Sequence, residues 1–286
     1  MDQPGNIADA ARPIGVLDSG VGGLSILREL RAQLPAEDVI YVADQAHIPY
    51  GTRPIEQVRT FTVGVARFLI EQGVKLIVVA CNTASAAALY RLRELFPQLP
   101  FVGMEPAVKP AARDTRTGVI GVIATETTFQ GELYASVVGR FAQGVRVETR
   151  ACPEFVRLAE AGDTQSPQAH QAVRQCLQPL LAAGIDQLVL GCTHFPFLKE
   201  TIQAETGPDV TIVDPSPAVA RQAGRVLEGR GALNPADVPG RVIYYTSGQP
   251  DRFRAVLGAL LGAECAAAAD VRPVAWVGET LRAASG

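Results

Sequence analysis

Two cysteines of this chain stand where a thiol can work as an acid or a base. Cys81 follows the apolar run at residues 76–80, and Cys192 follows QLVLG at 187–191. Runs this short and rich in branched aliphatics predict buried parallel strands. After Cys81 come Asn82, Thr83 and an alanine-rich stretch that favours helix. After Cys192 come Thr193, His194 and a helical stretch from about Pro196. A thiol between a strand's carboxyl end and a helix N-terminus lies where open α/β sheets bind ligands, and the helix dipole can lower its pKa. If both thiols face one cleft from opposite lobes, a ligand between them has a sulfur on each face of one carbon. One thiolate could then remove an α-proton while the opposite thiol delivers another, which is stereoinversion. Asp18 and Ser19 are candidate tuning partners for Cys81, and His194 and Glu160 for Cys192. Asn82, Thr83, Thr193 and the helix N-termini suit a substrate carboxylate.

The elements that must position these groups alternate along the chain. Strands are predicted at 14–17, 39–43, 76–80, 101–104, 118–124, 145–151, 187–191, 210–213 and 241–245, with a small one near Val274. Helices are predicted at 24–34, 60–72, 107–114, 154–161, 166–183 and 251–261, from about Gln130, and up to Leu227. Strand alternating with helix means a parallel, doubly wound α/β architecture. A faint duplication is also visible, because the first strand of each half precedes its cysteine by a comparable distance. The fold class expected is therefore α/β, two similar doubly wound, mainly parallel-sheet lobes with the active site in the cleft between them. The first lobe takes 1–98 plus 210–286 and carries Asp18 and Cys81. The second takes 99–209 and carries Glu160, Cys192 and His194. Residues 231–240 read as a linker.

Composition narrows the function. The chain has 286 residues, 48% hydrophobic and 19% charged, enough to bury a sizeable core. Its net charge of −3 argues against nucleic acid or an anionic membrane as the partner. No apolar run reaches transmembrane length, and the first dozen residues lack a signal peptide's pattern. Five scattered cysteines without a CxxC pair suggest free thiols in a reducing, cytoplasmic compartment. Cys152, Cys176 and Cys265 read as small buried hydrophobes. His194 so near Cys192 could suggest a metal, but no further ligand cluster accompanies it, so none is expected. The turn Gly20-Val21-Gly22-Gly23 resembles a dinucleotide fingerprint, yet Ser25 stands where the third glycine belongs and Asp18 occupies the strand end.

The motifs Asp18-Ser19-Gly20-Val21-Gly22-Gly23-Leu24, Pro49-Tyr50-Gly51, Ala80-Cys81-Asn82-Thr83-Ala84 and Gly191-Cys192-Thr193-His194-Phe195-Pro196 occur in the order seen in glutamate racemases. The chain resembles that family, within the cofactor-independent aspartate/glutamate racemases, from about residue 14 to 261. The resemblance implies racemisation of glutamate by two bases without pyridoxal phosphate or any other cofactor, supplying D-glutamate for cell-wall synthesis. It implies that Cys81 and Cys192 are the acid/base thiols, supported by Asp18, Glu160 and His194. It further implies substrate contacts from Ser19, Tyr50, Gly51, Asn82, Thr83 and Thr193, with Thr125 and Thr128 as further candidates. Oligomeric arrangement does not follow from it, and a homodimer is one arrangement open to the chain. Residues 45–48 match no motif. Three rival readings are an aspartate racemase, a Cys–His hydrolase or transferase using Cys192 and His194, and a non-catalytic glutamate-binding protein. The hydrolase leaves Cys81 without a role.

Overall fold

The computed structural model describes residues 10–284. The polar stretch before Ile14 lies mostly outside the described residues. Two sheets carry the fold. The first has the order β11-β10-β9-β2-β1-β3-β4 and the second β6-β5-β7-β8. Their strands are β1 Ile14–Asp18, β2 Val39–Ala43, β3 Leu76–Val79, β4 Phe101–Val102, β5 Val119–Ala124, β6 Arg146–Ala151, β7 Gln187–Gly191, β8 Thr211–Val213, β9 Val242–Thr246, β10 Asp270–Val277 and β11 Thr280–Ala283. All neighbours pair in parallel except β10 with β11. Strands β1, β2, β3 and β7 are buried along their whole length, as unbroken apolar runs must be when helices cover both faces of a sheet.

The expected duplication appears as strand order. In the first sheet β1 lies between β2 and β3, with β4 outside β3; in the second β5 lies between β6 and β7, with β8 outside β7. Cys81 follows β3 and Cys192 follows β7, so the two thiols occupy equivalent places in the two lobes. This order corrects the expected boundaries at 98/99 and 209/210. Each cut falls just before the fourth strand of its repeat, and so assigns β4 and β8 to the wrong sheet. Both strands are only two or three residues long. In sequence they read as the start of the next unit.

The chain returns to the first lobe through the helix Ser216–Gly229. Its Val219, Ala220, Ala223 and Leu227 pack with Leu24, Leu27 and Leu30 of the helix Leu24–Gln33. Residues 231–240 are tied to that lobe: Asn234 N–H donates to Glu37 Oε1, and Gly240 N–H to the Pro35 carbonyl. A Cβ at Gly240 would lie 2.2 Å from the Glu37 carbonyl oxygen, so only glycine passes there. Three elements differ from expectation. The helix predicted from Thr60 begins at Ile55, where Glu56 in the first turn suits the dipole. The helical stretch near Gln130 is two helices, Glu126–Gln130 and Glu132–Phe141. The strand near Val274 is one arm of a hairpin whose second arm, β11, the sequence did not suggest.

Candidate active site

The carboxyl ends of β1, β3 and β7 meet where the lobes face each other. Asp18 closes β1 and is 1% exposed. Its Oδ2 accepts the Gly20 N–H at 2.9 Å, and its Oδ1 lies 3.4 Å from the Thr193 hydroxyl of the other lobe. Burial raises the Asp18 pKa above the ordinary carboxylate range, against the opposing pull of His194 and of backbone donors. Ser25, placed where a dinucleotide fingerprint wants glycine, donates its hydroxyl to the Thr193 carbonyl at 2.9 Å. It is a second tie between the lobes, and sequence reasoning saw it only as a departure from a motif.

Cys81 is 5% exposed and caps the helix Asn82–Leu95; its sulfur accepts the Ala84 N–H at 3.4 Å and lies 3.9 Å from the Ser19 hydroxyl. Burial pushes its pKa far above the thiol range, and the negative charge of Asp18 adds to that. The helix N-terminus therefore does not win here, although it was expected to lower this thiol's pKa. A single amide cannot offset removal from water beside a carboxylate.

Cys192 is 7% exposed, and its sulfur lies 3.6 Å from His194 Nδ1. The other ring nitrogen, Nε2, lies 2.7 Å from Glu160 Oε1. Burial opposes protonation of His194, but its bonds to Cys192 and Glu160 outweigh burial and raise its pKa well above the ordinary range. The Glu160 pKa is lowered: burial works against ionisation, and His194, the Val21 N–H and Gln45 overcome it. Val21 N–H donates to Oε1 at 2.7 Å and Gln45 Nε2 to Oε2 at 3.1 Å, so the first lobe holds this carboxylate of the second.

The remaining candidates line the same enclosure. Thr83, Thr125 and Thr128 form a triangle of hydroxyls with sides of 2.9, 3.3 and 2.8 Å. Asn82 is buried, with both side-chain polar atoms unpartnered within the protein. Such a group costs stability unless a ligand satisfies it. Gly51 lies against Thr125, where a Cβ would approach to 2.5 Å, and its carbonyl accepts from Thr127 at 3.0 Å. The Tyr50 hydroxyl donates to Asp44 at 2.7 Å. Hydrogen bonds and close contacts thus link Asp18 to Thr193, Cys81 to Ser19, Cys192 to His194, His194 to Glu160, and Thr83 to Thr125 and Thr128. Asp44, Gln45 and Thr127, which hold the loop carrying Tyr50 and Gly51, were not singled out as functional. A small cavity of about 40 Å³ lies beside this loop, lined by Gly51, Thr125 and Val156 among others.

One expectation about the cysteines is corrected. Cys152 and Cys176 form a disulfide across a sequence separation of 24, with Cα atoms 6.3 Å apart, so not all five thiols are free. Cys152 precedes the helix Pro153–Glu160, which ends in the carboxylate bonded to His194, and Cys176 lies on the helix Pro167–Ala182. Packing brings the two together where scattered spacing gave no sign of it. Among the described residues, Cys81, Cys192 and Cys265 remain free, and no helix is long and apolar enough to cross a membrane.

Residues 14–223 match the family model of Asp/Glu/hydantoin racemases. A glutamate racemase of Stutzerimonas stutzeri is 47% identical over 256 residues, covering 90% of this chain and 96% of the relative. One of Deinococcus radiodurans is 50% identical over 250 residues, covering 87% and 86%. Escherichia coli glutamate racemase, solved with L-glutamate and the activator UDP-MurNAc-Ala, superposes with a TM-score of 0.80 at 32% identity, covering 93% of this chain and all of that one. The Bacillus anthracis enzyme gives 0.78 at 37% identity, covering 88% and 94%. With relatives about half identical over nearly its whole length, the chain belongs to the glutamate racemases of the Asp/Glu/hydantoin racemase family.

Proposed function

We propose that this chain interconverts L- and D-glutamate by proton transfer between Cys81 and Cys192 and supplies D-glutamate for peptidoglycan synthesis. The observation that supports the reading is that the immediate neighbours of the two thiols meet across the lobes. Asp18 and Thr193 touch across the lobes at 3.4 Å, with Cys81 beside Ser19 on one side and Cys192 next to Thr193 on the other.

A thiolate on one face of the substrate takes the α-proton, and its electron pair moves onto the α-carbon and carboxylate. The thiol on the other face gives its proton to that carbon and becomes the thiolate. Atoms and charge balance, and the two sulfurs have exchanged roles. His194, held as imidazolium 3.6 Å from Cys192, is the charge that a thiolate there needs. Asp18, whose raised pKa leaves it ready to hold a proton, is the base that can free Cys81. Asn82, with donor and acceptor both unsatisfied, is placed to bind a substrate carboxylate. Thr83, Thr125, Thr128 and Thr193 add hydroxyls, and closure removes the water that would compete for them.

The test is proton NMR of purified protein with L-glutamate in D₂O, chelator present and pyridoxal phosphate absent. Loss of the α-proton signal with appearance of D-glutamate is expected. A stable α-proton with glutamate, but exchange with aspartate, would move the substrate within the family; no exchange with either would overturn the reading.

A further inference from the structure

The loop at residues 45–54 carries Tyr50 and Gly51, and the second lobe holds it through Glu160 at Gln45 and through Thr127 at Gly51 and Arg53. The first lobe holds it through Asp44, a fully buried carboxylate outside the machinery described above. Asp44 Oδ2 accepts from Tyr50 at 2.7 Å and pairs with His47 Nδ1 at 2.9 Å. Its Oδ1 accepts from Ser247 at 2.8 Å and from the indole N–H of Trp276 at 2.7 Å. Four donors from three separated segments thus converge on one carboxylate at the root of this loop.

Trp276 reaches that point because of how the terminal hairpin is built. β10 pairs with β9 only from Asp270 to Pro273; beyond Pro273 it pairs with β11 alone and runs past the end of β9. The overhang lays the indole on the helix Ile55–Glu71 at Gly64, where a Cβ would come within 2.6 Å of the ring. The same indole meets the edge of His47 with centroids 5.0 Å apart, and His47 stacks on Phe61 at 3.7 Å. Arg53 donates to the His47 carbonyl at 2.5 Å and lies over Phe61. The loop is therefore clamped between a helix and a hairpin that has no counterpart in the second lobe.

We propose that Trp276 is a positioning residue for the reaction: through Asp44 it holds Tyr50 and Gly51 in the shape that closes over the substrate. This rests on the glutamate racemase reading and on Tyr50 and Gly51 touching substrate. Trp276 is the chain's only tryptophan, so its fluorescence reports the clamp directly.

The experiment uses the full chain. Racemisation by the wild type is measured first, and failure there overturns the functional reading before any variant is made. Trp276→Phe then keeps an aromatic ring but loses the N–H. Gly64→Ala pushes the indole from beneath without changing the loop, and decides the matter if Trp276→Phe does not fold. Both should raise KM for glutamate about tenfold, the scale of one lost hydrogen bond to a charged acceptor, with kcat within about twofold. The wild-type indole emission should change on saturation with glutamate, at a midpoint that follows KM. An unchanged KM in the folded variants, a joint fall of kcat and thermal midpoint with KM constant, or an indole emission indifferent to glutamate would overturn the proposal.

Discussion

The two thiols occupy equivalent places in a repeated architecture, and their surroundings have opposite electrical sense. Cys81 begins a fourteen-residue helix, accepts an amide, and has a carboxylate, Asp18, as its charged neighbour. Cys192 is followed by a 3₁₀ turn, Phe195–Leu198, and has as its neighbour His194, which Glu160 holds and whose pKa is raised. Reading the repeat alone would make the thiols interchangeable. Reading their neighbours sets them apart, with a carboxylate near Cys81 and the His194–Glu160 pair beside Cys192. A racemase needs such a difference, because two thiolates or two thiols facing one carbon could not complete the transfer.

The largest effect should come from removing either sulfur. Cys81→Ser and Cys192→Ser should each lower racemisation by about 10³-fold or more, since a serine hydroxyl is a far poorer acid and base at neutral pH. Thermal unfolding should stay close to wild type, because the swap changes little volume. Turnover near wild type in either variant would break the comparison at its root.

A smaller loss, about 10²-fold, is expected for His194→Asn and for Asp18→Asn, each of which weakens one partner and leaves the sulfur in place. The two enantiomers are equal in energy, so kcat/KM must fall equally in both directions. The difference should appear in the α-deuterium isotope effect. His194→Asn should raise it in the direction where Cys192 removes the proton, and Asp18→Asn in the opposite direction. Isotope effects that change alike in both variants would mean that the partners are not specific to their thiols.

The smallest effect sharpens the electrostatic half of the comparison. Glu160 has a lowered pKa, so its contribution to stability is complete above its ordinary 4.5 and is lost as pH falls through the folded value. His194 has a raised pKa, so its contribution is complete below 6.5 and is lost as pH rises through the folded value. The pair should therefore stabilise the protein most between about pH 4.5 and 6.5, with a decline on both sides. Glu160→Gln should flatten that profile in thermal unfolding followed against pH. An unaltered profile would mean that the two groups do not form the ionised pair described.

Much of this was legible in the chain because buried parallel strands leave an unmistakable pattern. The runs at 76–80 and 187–191 located both thiols, and the strand ends located Asp18. The runs at 101–104 and 210–213 are legible as strands, but the expected boundaries put β4 and β8 in the wrong lobes, because so short a run at the end of a repeat carries no mark of the sheet it joins. Asp44 looked like an ordinary strand end, since its partners Ser247 and Trp276 lie 203 and 232 residues away. The disulfide was hidden for the same reason, two cysteines 24 residues apart that meet only through packing. Gln45 and Ser25 were hidden by motif reading itself: one matched nothing, and the other counted only as a missing glycine.

With a thiol on each face of the α-carbon, two different groups should handle the leaving and the arriving proton. The most direct measurement is the isotope content of both glutamate enantiomers during the first few per cent of reaction in D₂O. Two opposed thiols predict that D-glutamate formed from L-glutamate carries deuterium at the α-carbon, while recovered L-glutamate still carries its proton. Product that retains the substrate's own α-proton, or early substrate as deuterated as the product, would mean one base serving both faces and would contradict the account.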